Sequence, residues 1–315
     1  MYRIGVDLGG TNIAIGIMDH HFKLIKKGST PTPAMDAEAI ADTIASFSKK
    51  LADDAGIPFS EIDSLGVATP GIVNRTTGEI VYANNIQFRH FPMAGKLKEK
   101  LPLREIYLEN DANAAALGEA KAGAARGAVN SVMITLGTGV GGGIIIGGDV
   151  YMGFNCAAGE LGHIVIEKDG YPCSCGRRGC WESYSSATGL IRMTREKMES
   201  APNSIMHELA EKEGKVSGRT AFDAARKGDL AAEEVVDAYL SYLACGIASM
   251  INIFHPETVV IGGGVSNEGE NLLRPLIPKV FAEACGDGDD SNMTKIRIAE
   301  LGNDAGIIGA ACLGL

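Results

Sequence analysis

The sequence predicts a duplicated α/β fold, two α/β domains with a cleft between the copies. Three observations predict it. An apolar strand running into adjacent glycines opens the chain at Ile4–Asn12, and a block of the same design begins at Val132. Aligning Asp7 with Thr135 and Gly9 with Gly137 sets the two blocks 128 residues apart in a chain of 315. That length suits two cores of roughly 150 residues each. The expected boundaries are 1–117 and 118–302, with a C-terminal helix, 303–315, packing back on the first domain.

The elements follow in order. Residues 4–8 read as a strand, 9–12 as a glycine turn and 13–17 as a second strand. Residues 36–55 carry Ala39, Ile40, Ile44, Phe47 and Leu51 at helical spacing and end at Gly56, which suits a C-cap. A strand at 64–68 leads to the turn Thr69-Pro70-Gly71. Another, 105–108, runs into Glu109-Asn110-Asp111 and an alanine-rich helix over about 112–125. After the second block, 183–254 reads as largely helical, with polar 199–219 as a surface excursion. A strand at 258–261 then meets Gly262-Gly263-Gly264, followed by a helix near 268–284. The acidic loop 286–290 lacks the ligand spacing of a calcium-binding hand. A last strand, 296–299, precedes a small-residue helix, 305–313.

Composition narrows the function. Hydrophobic residues make up 45% and charged residues 22%, the mix of a globular protein. A net charge of −10 argues against nucleic-acid or anionic-membrane partners. No run of about 18 apolar residues stands out, so no membrane span is expected. Gly5-Val6-Asp7 begins too early for a secretion signal ahead of it, which makes the cytoplasm the expected compartment. Seven cysteines are an odd number, and three crowd between Cys173 and Cys180. That pattern reads as metal before disulfide.

Two glycine turns are candidate phosphate cradles. In Asp7-Leu8-Gly9-Gly10-Thr11-Asn12, glycines let backbone N–H groups approach a phosphate without a Cβ in the way. Asp7 is placed to hold Mg²⁺ through water, since Mg²⁺ dehydrates reluctantly; a plain hairpin is the bland alternative. Gly137-Thr138-Gly139-Val140-Gly141-Gly142-Gly143 leads into Ile144-Ile145-Ile146, a strand, whereas a dinucleotide loop opens a helix. A P-loop is excluded because no Gly-Lys-Ser/Thr follows. A paired-hairpin phosphate site remains, with Gly263 and Gly264 as a further approach to the nucleotide.

Glu109-Asn110-Asp111 sits where a strand ends and a helix begins. A carboxylate there can accept the proton of an attacking alcohol, or it can simply cap the helix. Local sequence does not separate the two. Cys173-x-Cys175-x₄-Cys180 can converge on one tetrahedral ion, and thiolates favour zinc. The fourth ligand could be His163, ten residues upstream, whose other ring nitrogen would stay free for a substrate hydroxyl. Glu160, three residues before His163, can share its face of a turn. Trp181 reads as packing.

These motifs, in this order, resemble the ROK family (repressors, open reading frames and sugar kinases). They are Asp7-x-Gly9-Gly10-Thr11, Glu109-Asn110-Asp111-x-Asn113, Gly137-Thr138-Gly139-x-Gly141-Gly142-Gly143, Gly159-Glu160-x-Gly162-His163 and Cys173-x-Cys175-Gly176-x₂-Gly179-Cys180-x-Glu182. The match runs along essentially the whole chain. It implies a two-domain ribonuclease-H-like, actin-like ATPase fold and an ATP-dependent hexose kinase, usually a homodimer and sometimes a tetramer. Asp111 would be the general base for the sugar's 6-hydroxyl. Asn110, Glu160, His163 and Glu182 would bind ring hydroxyls, with Gly71 and Asn85 at the opposite wall. His163, Cys173, Cys175 and Cys180 would hold structural Zn²⁺. Gly9, Gly10, Thr11, Asn12, Gly137, Thr138 and Gly139 would line the phosphates, with Asp7 toward Mg²⁺ and Gly263 and Gly264 near the adenosine.

Glucose is the first acceptor the resemblance implies. Glucose-specific members often show Asn-Leu-x-Trp where this chain has Asn85-Ile86-Gln87-Phe88, which keeps N-acetylmannosamine, mannose and fructose as alternatives. The family's repressors carry a DNA-binding winged helix ahead of the kinase-like body. Here the first strand begins at about Arg3 and the chain is acidic, so a kinase is expected.

Overall fold

In the N-terminal hairpin, branched apolar residues alternate with small ones, and most of both sets are buried, as in strands covered on both faces. The computed structural model describes residues 1–34, 36–83, 88–285 and 293–315; Asn85, Ile86, Gln87 and the acidic loop 286–290 lie outside them. In the hairpin, β1 (Tyr2–Leu8) pairs antiparallel with β2 (Asn12–Asp19), setting Asp7 opposite Ala14. β3 (Leu24–Pro31) adds an edge, and its exposed Lys26, Lys27 and Pro31 suit a strand with one open side. α1 (Ala37–Asp54) is capped by Asp36, whose carboxylate accepts the Ala39 N–H at 3.0 Å. Its Ile40 and Ile44 are fully buried in one core with Ile4, Val6, Ile13 and Ile15. Each such side chain contributes about 1.5–3 kcal/mol.

β4 (Ile62–Thr69) runs parallel to β1. A short sheet follows, β5 (Ile72–Asn74), β6 (Glu79–Ala83) and β7 (Phe88–Phe91), in the order β5-β6-β7. α2 (Met93–Lys100) then leads to β8 (Glu105–Asn110), parallel to β4, and directly to α3 (Asp111–Ala122). The first main sheet has the order β3-β2-β1-β4-β8.

β9 (Ser131–Leu136), β10 (Val140–Ile146) and β11 (Asp149–Val150) begin the second sheet. Its helical portion is α4 (Glu182–Ser185), α5 (Ala187–Ser200), α6 (Met206–Glu213), α7 (Thr220–Ala225) and α8 (Leu230–Phe254). β12 (Thr258–Gly262), α9 (Glu270–Glu283), β13 (Lys295–Ile298) and α10 (Ala305–Ala311) complete the chain. The second sheet, β11-β10-β9-β12-β13, repeats the order of the first: a three-strand meander, then two strands reached by crossovers. The duplication expected from the glycine blocks is therefore visible in the topology.

The chain divides into two compact units. One is Met1–Ser131 with Gly143–Gly159 and Glu300–Leu315; the other is Val132–Gly142 with Glu160–Ala299. In the first, α10 packs on α3 and β1, and glycine is obligatory at that crossing. A Cβ on Gly309 would stand 1.6 Å from the Ala114 carbonyl oxygen. In the second, α8 packs on α9, α7 and α5. By length and composition α8 alone among the described helices could cross a membrane, with a mean hydropathy of 1.3. Half of that window is buried within the protein, as in a core helix.

Candidate active site and metal centre

Parallel register builds the first cluster. β1, β4 and β8 end at one edge of their sheet, Asp7 facing Ala68 and Ala68 facing Glu109. Carboxyl ends of parallel strands are where α/β sheets place their ligands. The turn after Asp7 closes through Gly9 N–H to the Asn12 carbonyl, 3.0 Å. Thr32, just past β3, donates its hydroxyl to the Gly9 carbonyl at 2.8 Å and its N–H to the Thr11 carbonyl at 2.9 Å. Gly10, Thr11 and Asn12 are left exposed at the turn.

The Glu109-Asn110-Asp111 question has a geometric answer. Asn110 is the N-cap of α3: its Oδ1 accepts the N–H groups of Ala112 and Asn113 at 2.9 and 3.3 Å. Its Nδ2 donates to the Gly71 carbonyl at 3.1 Å. Gly71 has φ +94° and a Cβ there would lie 2.1 Å from the Tyr82 oxygen, so only glycine fits. Asp111 is the first helical residue, and the capping position is already filled. Burial pushes the Asp111 carboxyl up, against the pull of the Ala112 N–H bonded to its Oδ1. Burial, helped by the charge of Asp111, also raises Asp7 to about 6.

The second unit holds the other predicted residues. The turn after β9 closes through Gly137 N–H to the Gly139 carbonyl, and the start of α5 braces it. Ala187 N–H donates to the Gly137 carbonyl at 2.8 Å, and the Thr188 hydroxyl donates to the Thr138 carbonyl at 2.7 Å. Gly263, at φ +83°, lies so close to the end of β9 that a Cβ would stand 2.5 Å from Leu136 N. The third glycine turn, with Gly264 next in line, is thus set beside the strand that carries Gly137. Glu182 spans two loops. Its Oε2 accepts Val140 N–H at 3.0 Å, and its Oε1 accepts from Ser174 Oγ at 3.2 Å and Cys173 Sγ at 3.5 Å. A cavity of about 510 Å³ opens here, lined by Thr138, Gly139, Glu182, Ser186, Thr188 and Arg192 among others.

His163, Cys173, Cys175 and Cys180 bring one donor atom each to within 4.8 Å of one another. His163 Nδ1 is 3.6 Å from Cys173 Sγ, and Cys175 Sγ is 3.6 Å from Cys180 Sγ. A tetrahedral Zn–S site with bonds of about 2.3 Å has edges of about 3.8 Å, so this donor set fits zinc. The other ring nitrogen, Nε2, faces the Glu160 carboxylate at 3.9 Å. Trp181 is fully buried and donates to the Tyr242 carbonyl, a packing role. Of the predicted residues, Asn85 lies outside the described ones. Thr32, just past β3, and Thr188, in the first turn of α5, belong to no motif, and Ser174 is the variable residue between Cys173 and Cys175; only the fold reveals their contacts.

The ROK family model matches residues 3–315. The chain belongs to the ROK family. A glucokinase of Halalkalibacterium halodurans is 41% identical over 314 residues, spanning 99% of this chain and 94% of that protein. A Streptomyces coelicolor glucokinase is 37% identical, across 98% of this chain and 96% of its own length. Among solved structures, a ROK glucokinase from Streptomyces griseus, in complex with glucose and AMPPNP, is 34% identical with a TM-score of 0.78, and 99% of each chain is covered. The fold is accordingly the two-domain, actin-like α/β fold of ROK sugar kinases.

Proposed function

We propose that this chain is an ATP-dependent glucokinase of the cytoplasm, working as a homodimer and making glucose 6-phosphate. The observation that carries the mechanism is the division of labour at the start of α3. Asn110 supplies the helix cap, which leaves Asp111 to act as a base. A base works best when its pKa approaches the working pH, and burial moves Asp111 that way. The full-length glucokinase relatives support ATP and glucose as the substrates.

In this reading the sugar's 6-oxygen attacks the γ-phosphorus and its proton passes to Asp111. The bond from γ-phosphorus to the β,γ-bridging oxygen breaks and ADP leaves with that electron pair. Asn110, Glu160, His163 and Glu182 hold ring hydroxyls, with Gly71 and Asn85 as a wall. The turns at Gly9, Gly10, Thr11, Asn12, Gly137, Thr138 and Gly139 offer backbone N–H groups to the phosphates, and Gly263 and Gly264 lie toward the adenosine. Mg²⁺, bound with the nucleotide and held through water by Asp7, would neutralise phosphate charge. Zn²⁺ on His163, Cys173, Cys175 and Cys180 would be structural, fixing the ring of His163 so that its Nε2 presents to substrate.

Asp111→Asn tests the assignment. Asn keeps the size but accepts no proton, so kcat should fall on the order of 10²–10⁴-fold with glucose binding retained by calorimetry. A variant with more than about a tenth of wild-type kcat would show that Asp111 is not the base.

A further inference from the structure

Arg75 lies in the turn between β5 and β6, a turn closed by Asn74 Oδ1 accepting the N–H groups of Thr76 and Thr77. Its guanidinium reaches the end of β8, where Nε meets Glu109 Oε2 at 3.0 Å. The Glu109 side chain is only 4% exposed. Its other oxygen, Oε1, accepts the Asn110 N–H at 2.8 Å and Asn113 Nδ2 at 3.1 Å. On its far side Arg75 is held by Asp149, at 3.6 Å, and by Met152 Sδ, at 3.2 Å. The same hairpin sends a second tie to the same strand end, through the Gly71 carbonyl to Asn110 Nδ2.

A buried ion pair is weak evidence for stability, because desolvation consumes much of its attraction and an apolar pair often does as well. What this pair supplies is direction. The guanidinium is planar and rigid: with its two terminal nitrogens on Asp149 and Met152, its Nε is set against Oε2, and that ion pair selects one carboxylate rotamer. That rotamer places one acceptor on the main chain of Asn110 and on the side chain of Asn113, which flank Asp111. Burial pushes the Glu109 carboxyl up while Arg75 pulls it down, so the guanidinium also favours the charged form that accepts both bonds.

We infer that Arg75, acting through Glu109, is a positioning residue for phosphoryl transfer: it fixes the first turn of α3 and so aims the Asp111 carboxylate. The inference rests on the kinase reading above. Misplacing a reacting group by about 1 Å can cost on the order of 10²-fold. Arg75→Met should therefore lower kcat about 10- to 100-fold and raise KM for glucose, with KM for ATP within about twofold of wild type. Arg75→Lys, which keeps the charge without the planar group that meets Glu109, Asp149 and Met152 together, should recover part of kcat.

Arg75→Met leaves a lone buried carboxylate, so part of its effect could be loss of stability. The double variant Arg75→Met/Glu109→Gln removes that orphan charge. Its Tm should climb back toward wild type while kcat stays low. Where Arg75→Met does not accumulate folded protein, Glu109→Gln alone gives the same kcat readout. Wild-type-like kcat in Arg75→Met, or kcat returning in step with Tm in the double variant, would overturn the inference while leaving the kinase reading intact. A wild-type chain that phosphorylates no hexose would overturn both.

Discussion

Asp7 and Asp111 are carboxylates that the fold makes costly to ionise. Burial comes first among the causes for each, and for Asp7 the charge of Asp111 adds to it. A raised carboxyl pKa means that the folded chain holds its proton more tightly than the unfolded chain does. Such a group loses stability as pH rises from its ordinary value, 3.8, through its folded value, about 6 for Asp7. Asp7→Asn should therefore raise stability at pH 7, by about 1–3 kcal/mol, and leave it nearly unchanged at pH 3.5. Urea denaturation at the two pH values checks this. Equal effects at both would mean that Asp7 is not destabilised by ionisation. At this scale the residue types were legible and their roles were not. Glu109-Asn110-Asp111 announced a cap and a candidate base, but only α3 shows that Asn110 takes the cap. Arg75 carried no signal at all, because the register between β4 and β8 and the length of the β5–β6 turn bring it to Glu109.

Elements were legible in proportion to how apolar they are. The two glycine hairpins and β12 announced themselves because both faces are buried, whereas β3 is an exposed edge rich in lysine. β5, β6 and β7 are three to five residues long, too short to show a period. α6 fell inside a stretch read as a surface excursion, since Met206 is its one buried residue. The cysteine loop was the opposite case. Its spacing anticipated three thiols on one ion and left the fourth donor open, and the structure gathers His163 with the three thiols. We expect about one equivalent of zinc in protein purified without added metal. Chelation should lower Tm, because the unfolded chain has no preformed site. Cys175→Ser should lower both metal content and glucose affinity, since Cys173 and Ser174 also hold Glu182. Full activity and unchanged Tm in metal-free protein would contradict the structural role.

Across the whole molecule, duplication organises the account. Two sheets of the same strand order each end a hairpin in glycines, and each unit gathers a different part of the predicted chemistry. The repeat was legible because glycine turns survive as sequence. The sugar was less so, since all but the last residue of the segment that departs from the glucose pattern, Asn85-Ile86-Gln87-Phe88, lies outside the described residues. Phe88, the residue in place of that pattern's tryptophan, is buried and stacks on Phe91 with ring centroids 5.5 Å apart. Sites that hydrogen-bond a hydroxyl reject sugars that misplace it, because a desolvated partner is left unpaired at about 1–3 kcal/mol. The most direct measurement is ADP release with glucose, mannose, fructose and N-acetylmannosamine at matched concentrations, with the phosphorylated carbon identified by NMR. Glucose should have the highest kcat/KM, roughly 5- to 150-fold above its epimers, and should be phosphorylated on its 6-oxygen. Another of these sugars outrunning glucose tenfold, or phosphate on a different carbon, would contradict the glucokinase reading.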